Sequence, residues 1–341
     1  MLNEKIIIIF EQLAKRINQQ IIISDKQDKL KHIFRLNAIT YALKIIRSYP
    51  KEITSSRDLM RYNGIGKGIL RRIDEIVGNG NLAELYGYSE QEEVVEMLSN
   101  VIGINAVLAN QLVNKYNIKS INDLINVQHD VNLPQPAQMG LKYYNTYERN
   151  IPRRETKDID SYINDVIISL NKKYRTALKY KICGSYRRRQ RYSNDIDILL
   201  TNKLIKTFDD LNSNINFMHV FVKYLTNYDN ITDVISMGNH KTFAFWKYKR
   251  YPIRKIDIQY VQYNAYYTSV MYFTGSKEFN IVLRKYAKRN GFKLNEYELI
   301  NKNTGKKIKI GSEYDVFNAL RIKYIKPRYR RGVDDIVSIR V

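Results

Sequence analysis

The run Cys183-Gly-Ser-Tyr-Arg-Arg-Arg-Gln-Arg-Tyr-Ser-Asn-Asp-Ile-Asp-Ile-Leu-Leu-Thr201 decides how this chain is read. Asp195 and Asp197 alternate with Ile196 and Ile198, so in a strand both carboxylates leave one face and both isoleucines the other. Two like charges on one face demand a partner. Paired oxygen ligands suit Mg²⁺ or Mn²⁺, and two such ions ~3.5–4 Å apart clamp the attacking and leaving oxygens of a phosphoryl displacement. A third carboxylate is expected from Arg254-Lys-Ile-Asp-Ile-Gln-Tyr260, where Asp257 shows the same alternation and would stand beside the pair if the two strands were neighbours. Asp-x-Asp alone is more often a solvated strand face. Just upstream, however, Gly184-Ser185 follows a candidate strand, with Arg187 and Arg188 next. Backbone N–H, hydroxyl and guanidinium donors suit a polyphosphate. Phosphate donors and metal carboxylates in one short stretch describe a nucleotidyltransferase active site.

At 341 residues the chain is expected to hold two or three domains, each with its own core. With 44% hydrophobic and 27% charged residues it lies in the globular range. The longest apolar run, Ile6 to Phe10, is short of the ~20 residues of a membrane span and the ~7 of a secretory leader. The expectation is an intracellular, unsecreted protein with no membrane partner. Cys183 is the single cysteine, and the four histidines are scattered. A disulfide and a Cys/His zinc site are therefore not expected. The 57 Lys+Arg against 34 Asp+Glu leave +23, which favours a polyanionic partner such as nucleic acid. Abundant Ile, Asn, Lys and Tyr resemble the product of an AT-rich genome, so part of the lysine excess is compositional.

Through residue 150, apolar positions recur at three- and four-residue spacing, as in Ile7, Phe10, Leu13 and Ile17 and in Ala42, Ile45 and Ile46, which predicts helices. Two segments look related: Leu59-Met-Arg-Tyr-Asn-Gly-Ile-Gly-Lys-Gly-Ile-Leu-Arg-Arg-Ile73 and Asn100-Val-Ile-Gly-Ile-Asn-Ala-Val-Leu-Ala-Asn-Gln-Leu112. Each reads as a glycine turn followed by an amphipathic helix. This helix-hairpin-helix signature sets N–H groups at a helix N-terminus against a DNA phosphate and reads no bases. The first copy has Gly64 and Gly66; the second keeps Gly103 but has Asn105 where another Gly is usual. After Ile151-Pro152 the texture becomes mixed, and this Pro with the charged stretch Arg149 to Asp158 marks a boundary. Strands are expected over 179–183, 195–200, 241–246 and 255–261, and a helix over 277–289. The expected class is α+β.

Six ordered segments resemble the family X DNA polymerases, with similarity from about residue 30 to residue 331. They are Asn63-Gly-Ile-Gly with Ile73-Asp-Glu75; Gly140-Leu-Lys-Tyr-Tyr144 with Ile151-Pro-Arg153; Gly184-Ser-Tyr-Arg-Arg188 with Asp195-Ile-Asp197; Ile256-Asp-Ile258; Met271-Tyr-Phe-Thr-Gly-Ser276; and Gly291-Phe-Lys-Leu-Asn-Glu-Tyr297. The resemblance implies a helical 5′-end-binding domain over 1–90 with the first hairpin, a helical DNA-binding subdomain over 91–150 with the second, a catalytic palm with a mixed sheet over 151–262, a small α/β closing subdomain over 263–331, and a tail over 332–341. It implies a monomer that adds dNTPs to a primer in gapped or nicked DNA, in base excision repair, with two Mg²⁺ (or Mn²⁺) ions per site. Asp195 and Asp197 would each bridge both ions, and Asp257 would bind the catalytic ion and help remove the primer hydroxyl proton. Gly184, Ser185 and Arg188 match triphosphate positions, and Tyr272, Phe273, Gly275 and Asn280 match the sugar and base pocket, where the two rings would crowd a 2′-hydroxyl. Arg284, Glu296 and Tyr297 match positions around the template strand and the closing subdomain. Gly64, Gly66, Lys67 and Gly103 would face DNA, with a monovalent cation at the hairpin turns.

The departures concern mainly a second activity. Family members that excise a 5′-deoxyribose phosphate use a Schiff-base lysine where this chain has Arg72. A guanidinium, protonated to above ~12, offers a carbonyl no free amine lone pair. Lys67 remains open as a substitute or as a simple phosphate ligand. Asn150 stands where an Arg toward the triphosphate is usual, with Arg149 adjoining; Arg189 and Asn194 replace glycines; Gln259 and Lys277 also differ. The basic stretches Arg71-Arg72, Arg153-Arg154 and Arg328 to Arg331 are expected to touch phosphates. Two other readings stay open, an untemplated nucleotidyltransferase and a catalytically silent DNA-binding scaffold. Residue usage is compatible with a large DNA virus or an AT-rich microbe, and the place of action with nucleus or cytoplasm.

Overall fold

Ile6, Ile7, Phe10, Leu13 and Ile17 are all buried in the first helix, while Ile8, on the opposite side, is exposed. Their spacing makes one apolar stripe, and it packs on Ile39, Ala42, Leu43 and Ile46 of the next helix. The computed structural model describes residues 3–24, 26–85, 90–147, 150–213 and 215–330. Arg149, Arg331 and the expected tail 332–341 lie outside these. The chain divides into two compact units, 1–141 and 142–341.

The first unit is helical, as its periodicity predicts: α1 Glu4–Ile23, α2 Lys26–Ser48, α3 Lys67–Asn79, α4 Glu90–Ser99, α5 Ala106–Tyr116 and α6 Ile121–Val127, with α7 beginning at Gln135 and ending at Tyr147. Ile69, Ile73 and Ile76 of α3 close the α1–α2 core. The two glycine turns have the same shape. Gly64 and Gly103 have φ of 89° and 82°, a region that favours glycine. The next-but-one positions, Gly66 and Asn105, have φ/ψ of −85/167° and −91/170°, open to any residue. Asn105 Oδ1 accepts from Leu108 N at 2.9 Å, capping α5. The second copy thus keeps the glycine whose conformation needs one and turns the other into a cap.

In the second unit the elements are β1 Ile151–Pro152, α8 Arg153–Tyr174, β2 Leu178–Ile182, α9 Gly184–Arg187, β3 Tyr192–Ser193, β4 Ile196–Asn202, α10 Phe208–Ser213, α11 Phe217–Asn227, β5 Ile231–Met237, β6 Lys241–Trp246, β7 Arg254–Gln262, α12 Tyr266–Thr274, α13 Lys277–Arg289, β8 Phe292–Leu294, β9 Leu299–Asn301 and α14 Glu313–Ala319. The four expected strands and the expected helix are all present. β5 was not expected, and Asp195 falls just before β4 rather than within it. The class is α+β with a mixed sheet: order β2-β4-β7-β6-β5, with β4 and β7 parallel and the other pairs antiparallel.

Period-two alternation divides the sheet between two cores. Ile196, Ile198 and Leu200 of β4, with Ile256, Ile258 and Tyr260 of β7, join Ile159, Ile163 and Val166 of α8 and Phe221 and Leu225 of α11. Leu199 and Val261 face the other way, onto Tyr266 and Val270 of α12. Asp197 and Asp257 belong by parity to this second face. A third cluster holds the closing segment, where Phe279 and Leu283 of α13 meet Leu299 of β9 and Val316 and Phe317 of α14.

Candidate active site

Asp197 and Asp257 are Cα partners in the parallel β4–β7 ladder. Neighbouring strands run ~4.8 Å apart, so both carboxylates leave the same face side by side. Asp195 stands two residues before Asp197, ahead of the ladder. The Gly184–Arg188 loop is tied to this face: Cys183 N donates to Asp197 O at 2.8 Å. Gly184 has φ 53°, and a Cβ built there would lie 1.9 Å from Asp197 Oδ2. Any side chain at 184 would push the loop off the carboxylate.

These three carboxylates repel one another. Asp197 is pushed up to about 8, by burial first and then by the charges of Asp195 and Asp257, against Arg188 and Lys241. Burial also raises Asp195, with Lys255 opposing and Asp257 adding. Asp257 Oδ2 receives the Lys241 ammonium at 2.9 Å, and its Oδ1 is buried with no hydrogen-bond partner. Among the described residues no three His, Cys, Asp or Glu side chains already surround one ion position. The carboxylates converge without forming a finished cage, and a lysine stands on one of them. An orphaned carboxylate oxygen beside two others whose charge is costly is an all-oxygen donor set that fits a hard divalent cation.

The expected nucleotide positions adjoin this face. Ser185 Oγ donates to Ser193 Oγ at 2.8 Å. Arg188 Nη1 donates to Thr274 O at 2.5 Å and lies 3.2 Å from where a Cβ on Gly275 would be. Tyr272 and Phe273 meet edge to face with ring centroids 6.0 Å apart. Phe273 and Tyr297 rest on the α12 core, so part of their role is packing. Asn280 Nδ2 donates to Tyr272 O at 2.7 Å. Arg284 lies over the Tyr272 ring at 5.0 Å and pairs with Glu296 Oε2 at 2.8 Å. Tyr272, Asn280, Arg284 and Glu296 therefore form one connected group.

Sequence reading missed Lys241, which meets Asp257 diagonally across the β6–β7 register. It also missed Ser193, Thr274 and the Glu313 carboxylate that binds Arg187. Each depends on a pairing that no local pattern announces.

In the first unit, Lys67 begins α3 and is exposed, and a Cβ on Gly66 would meet nothing within 4 Å, so this helix N-terminus opens to solvent. Arg72 is committed: Nε donates to Glu84 Oε2 at 2.6 Å, Nη2 to Glu84 Oε1 at 2.9 Å and Nη1 to Gly68 O at 3.0 Å. Arg35 pairs with the same carboxylate.

Three family models match in order: helix-hairpin-helix domain over residues 1–82, DNA polymerase beta palm over 150–263 and DNA polymerase beta thumb over 269–331. The chain belongs to the family X DNA polymerases. The palm match covers all three aspartates, and the thumb match covers Tyr272 to Tyr297. Among curated family X relatives, DNA polymerase lambda of Rattus norvegicus is 27% identical over 337 residues, covering 94% of this chain and 55% of its own length. DNA polymerase lambda of Arabidopsis thaliana is 25% identical over 312 residues, covering 85% and 56%. DNA nucleotidylexotransferase of Xenopus laevis is 20% identical over 331 residues, covering 87% and 64%. The chain spans a little over half the length of the lambda relatives. Among the described residues no helix is long and apolar enough to cross a membrane.

Proposed function

We propose that the chain is a template-directed DNA polymerase that adds dNTPs to a primer 3′-OH at short gaps, acting as a monomer in intracellular DNA repair. The observation that carries this is the register of Asp197 against Asp257, with Asp195 beside them and the Gly184–Arg188 loop against the same carboxylates. Asp195, Asp197 and Asp257 would hold Mg²⁺ or Mn²⁺, which when bound neutralises the triphosphate and the primer oxygen. The Ser185 hydroxyl and the Arg188 guanidinium would bind the triphosphate and orient it, and Tyr272 and Phe273 would wall the deoxyribose. Such a site works chiefly by positioning and charge neutralisation. Gly64, Gly66, Lys67 and Gly103 would hold DNA phosphates through helix N-termini, with a monovalent cation at the turns.

Extension of a primer on one-nucleotide-gapped DNA tests the reading. Templated incorporation of the complementary dNTP is expected, and binding without incorporation would sink it in favour of a scaffold. The nucleotidylexotransferase relative makes a single-stranded primer the necessary second arm; extension there without template would favour untemplated transfer.

We further propose that the first unit binds a 5′ end without cleaving it, because Arg72 is engaged by Glu84 and lacks a nucleophilic amine. Borohydride treatment with an incised abasic substrate is expected to leave no covalent adduct. An adduct that disappears in Lys67→Ala would overturn this and assign lyase chemistry to Lys67.

A further inference from the structure

Arg189 follows the cap of α9 with φ 63°, its N–H donating to Tyr186 O at 3.0 Å. Helices commonly end on a left-handed residue of this kind, and it is usually glycine because a Cβ strains that conformation. An arginine here accepts backbone strain, and its side chain reaches an open cavity of about 490 Å³ lined by Arg187, Arg189, Lys326, Pro327 and Arg328. Four of the five lining residues are cations and none is acidic.

Their charges are unevenly compensated. Arg187 is engaged by Glu313 and by Thr274 Oγ1. Arg328 lies over the Tyr329 ring at 4.5 Å, and no carboxylate is paired with it among the described residues. Arg189 and Lys326 are exposed, and among the described residues neither side chain has a hydrogen bond or ion pair. Clustered unpaired cations around a concavity focus positive potential and favour an anion. The volume lies in the range that holds small ligands, and guanidinium forks with an ammonium match phosphate oxygens.

We propose that this cavity is a phosphate-binding site separate from the one at Ser185 and Arg188. Its ligand is either a free polyphosphate or a phosphodiester of a nucleic-acid strand, which share the chemistry the cavity recognises. The site does not depend on the chain being a polymerase.

The test uses the full chain in EDTA at low salt, with inorganic pyrophosphate binding followed by calorimetry and single-stranded oligothymidylate binding by fluorescence anisotropy. The variant is Arg189→Gly with Lys326→Ala. Glycine suits the φ at 189, so the fold is expected to hold, and a melting curve checks that. Pyrophosphate binding weakened at least ~10-fold would support the site and assign a free polyphosphate. Loss confined to the oligonucleotide would support it and assign a strand phosphate. A charge-matched control, Lys302→Ala with Lys306→Ala, removes two exposed cations elsewhere. Equal losses in control and variant would overturn the proposal. So would binding of both probes unchanged in the variant, including the case in which pyrophosphate binding is lost only in Arg188→Ala while oligothymidylate binding to the variant is unaltered.

Discussion

Asp257→Ala is expected to lower primer extension on gapped DNA by about a thousandfold, because losing a metal carboxylate removes roughly 4 kcal/mol of transition-state stabilisation at ~1.4 kcal/mol per decade. Undiminished synthesis would remove the aspartates from the chemistry. A companion substitution separates catalysis from folding. Asp197 is pushed up to about 8, above the ~3.9 of an unfolded Asp. A carboxyl raised on folding costs stability as pH climbs past its unfolded value, and the loss grows until pH reaches its folded value. Asn carries no charge at any pH. Metal-free Asp197→Asn is therefore expected to melt above the unsubstituted protein at pH 8, with the gap narrowing toward pH 4. A gain of 1 kcal/mol would appear as roughly 2–4 °C in a unit of this size. Millimolar Mg²⁺ or Mn²⁺ should raise the midpoint of the unsubstituted protein through linkage and leave Asp197→Asn nearly unmoved. An inactive protein with a higher melting point is the signature of a site that holds like charges together for a cation. Equal or lower melting in Asp197→Asn would contradict that account.

What could be read beforehand follows the range of the interactions. The helix expected around 277–289 and the strand expected over 241–246 lie where the structure has α13 and β6, because local periodicity sets each and α13 also has the cap Ser276, whose Oγ accepts from Phe279 N at 3.2 Å. The facing of Asp197 away from Ile196 and Ile198 is likewise local. β5 escaped notice because register shifts between Ile231 and Asp233 and between Val234 and Ser236 break its alternation, and of its seven residues only Ile231 is buried. Lys241 on Asp257 needs the β6–β7 register. The clamp of Arg72 by Glu84 joins residues 12 apart through a loop. Arg72 could be seen to be unfit for a Schiff base, but not to be held by a carboxylate. Asn105 looked like a defect in a glycine motif until φ showed that only Gly103 of that turn needs glycine.

Glu313→Ala is expected to destabilise the second unit by about 3–5 kcal/mol, the usual cost of stranding a buried cation. Arg330 is fully buried, with Nη1 donating to Glu313 Oε1 at 2.7 Å and Nε to Ile325 O at 3.0 Å. Glu313 also accepts from Arg187 at 3.0 and 2.5 Å, so one carboxylate answers two guanidinium groups. Burial alone would raise Glu313, but the Arg187 hydrogen bond and the charges of Arg330 and Arg187 outweigh it and hold the carboxyl below its ordinary value. A carboxyl lowered on folding contributes stability above its unfolded pKa of ~4.3, and that contribution fades as pH falls through the folded value. The unsubstituted protein should accordingly lose stability more steeply below pH 5 than Glu313→Ala, whose deficit shrinks in acid. Urea unfolding at pH 7 and pH 4 measures both. Glu313→Leu combined with Arg330→Met should recover part of the loss, since apolar replacement of a buried pair is often neutral whereas removal of one partner is not. The effect should extend to the nucleotide side. Thr274 takes Arg187 on its hydroxyl and Arg188 on its carbonyl, so freeing Arg187 loosens the residue that seats Arg188. A raised KM for dNTP in Glu313→Ala, under conditions where the protein remains folded, would show that this buried carboxylate positions Arg188, the guanidinium proposed for the triphosphate; an unchanged KM would confine it to stability.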